Sequence, residues 1–511
     1  MTTYSADGTH QEILLQQFAG LFPFQCLTFY ANEFSDGVDV LKTWQLWREN
    51  RPENNSRLHI ITTKKQPLSS KELAQKLIYF PNFSDLATRL LAQYPPAISG
   101  VHRLIFNEER LTLDLWFGDV VDDLNPSTAP ISMTHQNDSQ AFAVIGAGIA
   151  GLSMTHALTQ RGYAVTLIEQ AEPLAGASGN PCALLLSKLP KLKRVSGNLQ
   201  TMGALSTVRW WQNWANDVVV STGALLQIDG DDLEKIKGYP TDVVQIVNRI
   251  EATEKFNIVC STDYMLMPRA AGIDPQAIRK HVLASPLVTL VKAQAKQLIR
   301  NNDDSTWMVL DEHAKSITQV SKVIIANAKD SVSLCPTLPP LTVIRGQMSW
   351  LPAPSNSPSL ALGYGGYTVR FQNDLLLGSS FVRDDQCLDI RSTEHDSNLA
   401  LLRDNFPQLS EQLPSTSTWQ GRVSLRALPR DSMPVVGAAP HMNDVYVLAG
   451  LGSKGFSFAP LCAELLAAQI LGEALPMTNK LAAVIRPDRF IKKVRIRKPY
   501  YSADNTPVKD N

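Results

Sequence analysis

The run AFAVIGAGIAGLSMTHALTQRGYAVTLIEQ, residues 141–170, constrains the fold more than any other part of this chain. Gly146, Gly148 and Gly151 fit the spacing G-x-G-x-x-G. The apolar residues before them read as a buried strand, those after as a helix ending at Gly162, and YAVTLIE as a second strand. In such a βαβ unit the first glycine permits the tight turn, the second lets a pyrophosphate approach the backbone, and the third lets helix and sheet pack closely. Free N–H groups at the helix start favour an anion. Glu169 ends the second strand 21 residues beyond Gly148. Its carboxylate accepts hydrogen bonds from ribose hydroxyls and repels a 2′-phosphate, so NADP is disfavoured. The bland alternative is a glycine-rich turn with no ligand.

The chain after Glu169 narrows the choice of dinucleotide. A small-residue loop, QAEPLAGASGNPCALL, follows where a nicotinamide dehydrogenase proceeds into a helix; it contains Ser178 and Asn180. Near the other end VYVLAGLGSKGFSFAP repeats the strand-to-helix corner. A strand ends at Gly450, the loop holds Gly452, Lys454 and Gly455, and a helix is predicted from about Ala459. Two such corners some 300 residues apart suit an extended FAD.

At 511 residues the chain exceeds one ordinary core, so two or more domains are expected. Lys plus Arg and Asp plus Glu both number 48, which leaves no global field to draw in a polyanion; any nucleic-acid contact must come from local basic patches. No apolar run reaches membrane-spanning length, and the start of the chain lacks a signal-peptide pattern. Six scattered cysteines without a CxxC predict a reduced, cytoplasmic protein, and the nine histidines show no metal-ligand spacing, so no metal site is expected. Residues 125–140, NPSTAPISMTHQNDSQ, read as a linker. Before them RLHIITT, SSKELAQKLIYF, SDLATRLLAQY and RLTLDLWFGDV alternate between strand and helix patterns.

The pair GAGIAG…E…GASGN and GRVSLRALPRDSMPVVG…VYVLAGLGSKGFSFAP resembles FAD-dependent amine oxidases of the glycine, sarcosine and D-amino-acid oxidase type. VIRGQMSWLP, GGYTVR, EHDSNL and WQGRVSLRA extend the likeness to the oxidoreductase half of the bifunctional tRNA 5-methylaminomethyl-2-thiouridine biosynthesis family. The front segment resembles that family's methyltransferase half. The implied fold class is α/β: an FAD-binding Rossmann-like domain interleaved with an antiparallel-sheet substrate domain, preceded by a truncated methyltransferase-like domain. The implied bounds are 1–124 for the truncated domain, 125–140 for the linker and 141–490 for the oxidoreductase. A substrate subdomain falls at about 223–274 and 341–418, and a basic tail at 491–511.

The front segment departs from its family. The glycine loop for S-adenosylmethionine falls on EFSDGVDVLKTW, where Glu33 and Ser35 replace glycines and only Gly37 remains. The ribose-binding acid falls on Lys64, and the acidic motif after Gly118-Asp119 is missing. Methyl transfer is therefore expected to be lost, with a separate methyltransferase as a possible partner. On the flavin side Ala183 and Ala328 stand where the family has glycines; alanine is costly if φ is positive.

The resemblance implies a substrate bearing –NH–CH2–COO⁻ on the tRNA wobble uridine. Arg426 is the expected carboxylate grip, by its spacing to PVVG; a structural ion pair with Asp431 is the alternative. Tyr367 is a second carboxylate donor or else a core aromatic, and Lys454 stabilises reduced flavin or is a solvated loop lysine. The cofactor set is Gly146, Gly148, Gly151, Glu169, Ser178, Asn180, Gly450, Gly452 and Gly455. KLPKLKR (188–194) and the basic run from Ile485 to Lys498 are phosphate contacts or solvated charged faces. Two other functions fit the same residues: an FAD oxidase of small free amines, and a low-activity flavoprotein that binds tRNA or assists assembly.

Overall fold

The computed structural model describes residues 8–491, apart from 32, 125–130, 134–139, 229, 257, 258, 260–262 and 302. The basic tail lies outside the described residues, as does most of the predicted linker.

Three parallel neighbours, Cys26–Tyr30, Arg57–Lys64 and Leu111–Phe117, form the middle of the first sheet. Gly100–Phe106 extends it antiparallel on one side and Ile131–Met133 on the other. The strand sequences are apolar and β-branched, and they pack on Trp44, Trp47 and Phe18, all fully buried. The Ile131–Met133 strand corrects the reading of 125–140 as linker throughout. It covers the otherwise open edge of Cys26–Tyr30, and an unpaired edge is a standing invitation to aggregation.

The second sheet has six strands in the order Val288–Lys292, Val165–Glu169, Phe142–Ile145, Lys322–Ile325, Val445–Ala449, Val435–Ala438. All pairings are parallel except the last. FAVI and, after Lys322, VII read as continuous apolar runs because both faces of these strands are covered. The helices Ile149–Thr159 and Gly455–Leu471 lie on one face and are buried almost all round. A three-stranded antiparallel meander, Gln297–Asn301, Thr306–Leu310 and Ser316–Val320, closes the other, with Trp307 and Val309 against Ala143 and Ile145.

The third sheet has ten strands, mostly antiparallel. It is wider than the predicted spans 223–274 and 341–418. It takes in Ala183–Leu185, starts its Val219–Gln227 strand earlier, and includes Gln420–Leu428, which pairs along Thr342–Pro352 from Thr342 to Trp350. Side chains alternate on Thr342–Pro352. Arg345, Gln347 and Ser349 meet the helix Ser392–Asn405 and its first flanking residue: Arg345 pairs with Glu394 at 2.6 Å, Gln347 Nε2 donates to the Arg391 carbonyl at 2.8 Å, and Ser349 Oγ lies 2.7 Å from His395 Nδ1. That helix closes one face of the sheet. Ile344, Gly346 and Met348 point to the other, toward the second sheet's helices.

Buried charges join the first sheet to the rest. Arg103 pairs with Asp114 at 2.8 Å and with Glu464 of the Gly455–Leu471 helix at 3.4 Å. Arg161 reaches Glu464 at 3.0 Å and Glu473 at 2.7 Å, and Arg57 reaches Glu473 at 3.2 Å.

Candidate active site

The first corner is tight enough to require its glycines. Gly146 has φ 101°, and a Cβ there would sit 2.8 Å from the Ala326 carbonyl oxygen. A Cβ on Gly151 would sit 1.8 Å from the Gly146 oxygen, so the helix rests directly on the turn. Gly148 flanks the Ile149–Thr159 helix without a side-chain cap; Ser178 Oγ accepts from the Ile149 N–H at 2.9 Å instead. The Glu169 Oε2 accepts from the Ala147 N–H at 2.7 Å and Oε1 from the Ala171 N–H at 3.0 Å. The carboxylate thus secures the glycine turn, and each oxygen keeps lone-pair capacity for a hydroxyl.

The second corner abuts the first. Gly450 and Gly452 have φ of 70° and 57°, and a short turn at Gly452–Lys454 leads into the helix. The helix starts at Gly455, four residues before the predicted Ala459. A Cβ on Gly455 would lie 3.1 Å from Ile149 Cγ2, so the two helix starts touch. Neither has a side-chain cap from its own flanking residue. Side-by-side uncapped N-termini with glycine backbones fit the pyrophosphate and electron-rich ring of FAD.

Of the two alanine departures only one falls on a demanding backbone. Ala328 has φ 54°, whereas Ala183 lies in an extended strand.

Arg426 crosses the face of the third sheet and lies over Gly346, where a Cβ would be 2.4 Å from its Nη2. Its guanidinium donates to Ser379 Oγ and, at 3.4 Å, to the Ser380 carbonyl. Among the described residues no carboxylate pairs with it, and Asp431, the alternative partner, is held by Arg489 at 2.9 Å. Burial lowers the Arg426 pKa, opposed by the Tyr367 hydroxyl nearby. Burial pushes the Tyr367 phenol well above the ordinary range, with Cys182 adding to the shift and Arg426 and a hydrogen bond with Asn180 opposing it. Arg426, Tyr367 and Asn180 therefore form one group. Lys454 is exposed in the turn before the Gly455–Leu471 helix; partial desolvation, then the charge of Lys188, lowers its pKa.

Arg422 escaped the sequence reading. It donates to the carbonyls of Ala175 at 2.5 Å and Gly176 at 2.6 Å, and to Asn180 Oδ1 at 3.4 Å. It ties the loop carrying Ser178 and Asn180 to the sheet that carries Arg426. The alternation in GRVSLRA was the available signal, since it puts Arg422 and Arg426 on one face.

Residues 141–469 match the FAD dependent oxidoreductase family. The tRNA 5-methylaminomethyl-2-thiouridine biosynthesis bifunctional protein MnmC of Acinetobacter baylyi is 32% identical over 581 residues, covering 96% of this chain and 92% of that protein. The chain belongs to that family. The bifunctional protein of Psychrobacter cryohalolentis is 27% identical, covering 92% of this chain and 88% of its own length. The Acinetobacter alignment, at 581 residues, exceeds this chain's 511 by 70, so at least that many positions of the relative face gaps here. Glycine oxidase from Geobacillus kaustophilus superposes with a TM-score of 0.57 at 18% identity, covering 69% of this chain and 100% of that one. The glycine oxidase of Bacillus cereus gives 0.56 at 16%, covering 65% and 95%. Both show the fold. This member of the bifunctional family is an FAD-dependent oxidoreductase. Among its described residues no helix is long and apolar enough to cross a membrane.

Proposed function

We propose that this enzyme removes the carboxymethyl group from 5-carboxymethylaminomethyl-(2-thio)uridine at the tRNA wobble position, leaving the 5-aminomethyl nucleoside and releasing glyoxylate. The observation that carries this reading is Arg426: a half-buried guanidinium without a carboxylate of its own among the described residues, set on the sheet face turned toward the two glycine corners. FAD, when bound, accepts a hydride. Arg426 grips the substrate carboxylate through parallel N–H···O bonds, and Tyr367, kept protonated by burial, donates a further one. The grip fixes the CH2 for hydride loss. As the hydride leaves, the amine lone pair forms a C=N bond and the N–H proton goes to water. Water then adds to that carbon, the C–N bond breaks, and the primary amine and glyoxylate part. The amine must enter neutral for its lone pair to be available.

Gly146, Gly148, Gly151, Glu169, Ser178, Asn180, Gly450, Gly452 and Gly455 are the proposed FAD contacts, and Lys454 faces the reduced cofactor's charge. For tRNA, Lys188 and its neighbours to Arg194 supply phosphate contacts at the mouth. The run from Ile485 to Lys498 falls largely outside the described residues. Residues 1–124 are read as a truncated methyltransferase-like unit without methyl transfer, which a separate enzyme supplies, and the setting is the cytoplasm. Anaerobic mixing with tRNA from cells lacking this protein tests the function: the oxidised-flavin absorbance bleaches and glyoxylate appears. Bleaching by free glycine or sarcosine but not by that tRNA would replace the reading with a small-amine oxidase.

A further inference from the structure

We propose that Phe381, backed by Arg383, is a platform on which the tRNA base next to the wobble nucleoside stacks; this rests on tRNA being the substrate. Across the third sheet Arg383 pairs directly with Ile344, and Ile344 directly with Arg426. Directly opposed residues share a face, so Arg383 stands on the same side as the carboxylate grip, two strand spacings or about 10 Å away. Phe381 lies two residues earlier, and the Arg383 guanidinium sits 5.9 Å from its ring centroid. The residue before it, Ser380, receives an Arg426 N–H on its carbonyl. The opposite face is closed by the Ser392–Asn405 helix through Glu394 and His395, so Phe381 is not a stray member of that core.

The ring is 55% exposed, and the segment that follows leaves Leu388 and Ile390 more than half exposed. A free amine oxidase has no use for an aromatic ledge outside the pocket. A wobble nucleotide whose side chain ends on Arg426 brings its neighbouring base against such a ledge. Aromatic rings hold single-stranded bases by stacking, tolerant of base identity, and an arginine beside the ring favours the backbone phosphate. Unlike the lysines near residue 190, this pair acts on a base rather than on charge alone.

The test compares wild type, Phe381→Ala and Phe381→Trp in anaerobic flavin reduction with two substrates, hypomodified tRNA and the free 5-carboxymethylaminomethyluridine nucleoside. Loss of one stacked base corresponds to roughly a 5- to 150-fold weaker half-saturation. The proposal expects that shift for Phe381→Ala with tRNA, none with the nucleoside, and recovery in Phe381→Trp. An unchanged tRNA titration, or equal shifts with both substrates, overturns it. Failure of wild-type flavin to be reduced by tRNA refutes the functional reading instead; direct binding of the same tRNA then decides the platform, with equal retention by wild type and Phe381→Ala counting against it.

Discussion

The Lys64 ammonium lies 3.0 Å from the Glu33 carboxylate, at the ends of adjacent parallel strands of the first sheet. In the methyltransferase half that this segment resembles, those positions carry the ribose-binding acid and a loop glycine. Here the charge is reversed and neutralised internally. A carboxylate in the loop repels the methionine carboxylate, and a lysine gives a ribose no acceptor. Calorimetric titration with S-adenosylmethionine is expected to show no heat, in wild type and in Lys64→Asp alike, because one restored acid leaves Glu33 and Ser35 in the loop. Saturable binding by wild type would refute the loss of methyl transfer.

Arg426→Ala should cut kcat/KM for hypomodified tRNA by about 2–4 kcal/mol, roughly 30- to 1000-fold, since a desolvated charge pair is lost. The protein should stay yellow, because the residue meets the sheet face and not the glycine corners. Arg426→Lys should recover only part of the loss, as a single ammonium lacks the planar fork. Steady-state kinetics with the flavin content measured beside it checks both statements; a colourless Arg426→Ala protein would move this residue into the cofactor site.

Acid should weaken the fold in two stages. Burial pushes the His156 imidazole down to about 4 and that of His102 to about 3. The unfolded chain takes up protons on these rings near the ordinary 6.5 while the native state does not. Stability is therefore intact above that value and falls as the pH drops below it. A second decline begins below about pH 4.5. Burial alone would raise Glu464 and Glu473, but Arg161 and neighbouring arginines outweigh it and hold both carboxylates below their ordinary 4.5. Thermal melts from pH 8 to 4 should show the first decline starting near 6.5, about half as steep in His156→Gln. A flat melting temperature down to pH 5 would contradict the burial of these rings.

Ala328→Gly should stabilise the protein by about 1 kcal/mol, because φ at this position is 54° and only glycine adopts it without strain. In a chain of this size the melting temperature rises by about 1–2 °C, readable by differential scanning calorimetry. The same change at Ala183 should give no gain, since that residue lies in an extended strand.

The glycine corners were legible because their chemistry is local: a strand, a turn that excludes Cβ atoms and a helix follow one another within about 30 residues. The first sheet was legible for a similar reason, its strands being short apolar runs between helical patterns. The width of the third sheet was not, because Gln420–Leu428 finds its partner some 75 residues earlier in the chain, and no periodicity records a pairing at that distance. Arg422 was missed for a related reason: its acceptors are backbone carbonyls of a loop roughly 245 residues away, and carbonyls carry no residue signature. Arg426 was found through its spacing to a motif, while its seat over Gly346 came only with strand register.

The arginine and glutamate cluster between the first sheet and the Gly455–Leu471 helix has a mechanical consequence. Removing the front segment strips Glu464 and Glu473 of two of their three cations, and uncompensated buried charge is among the most damaging losses a fold can suffer. A backbone nick between residues 124 and 141 should leave two fragments that co-elute and melt together. The front part thus supports the fold of the redox part through this shared cluster, whatever chemistry it carries itself.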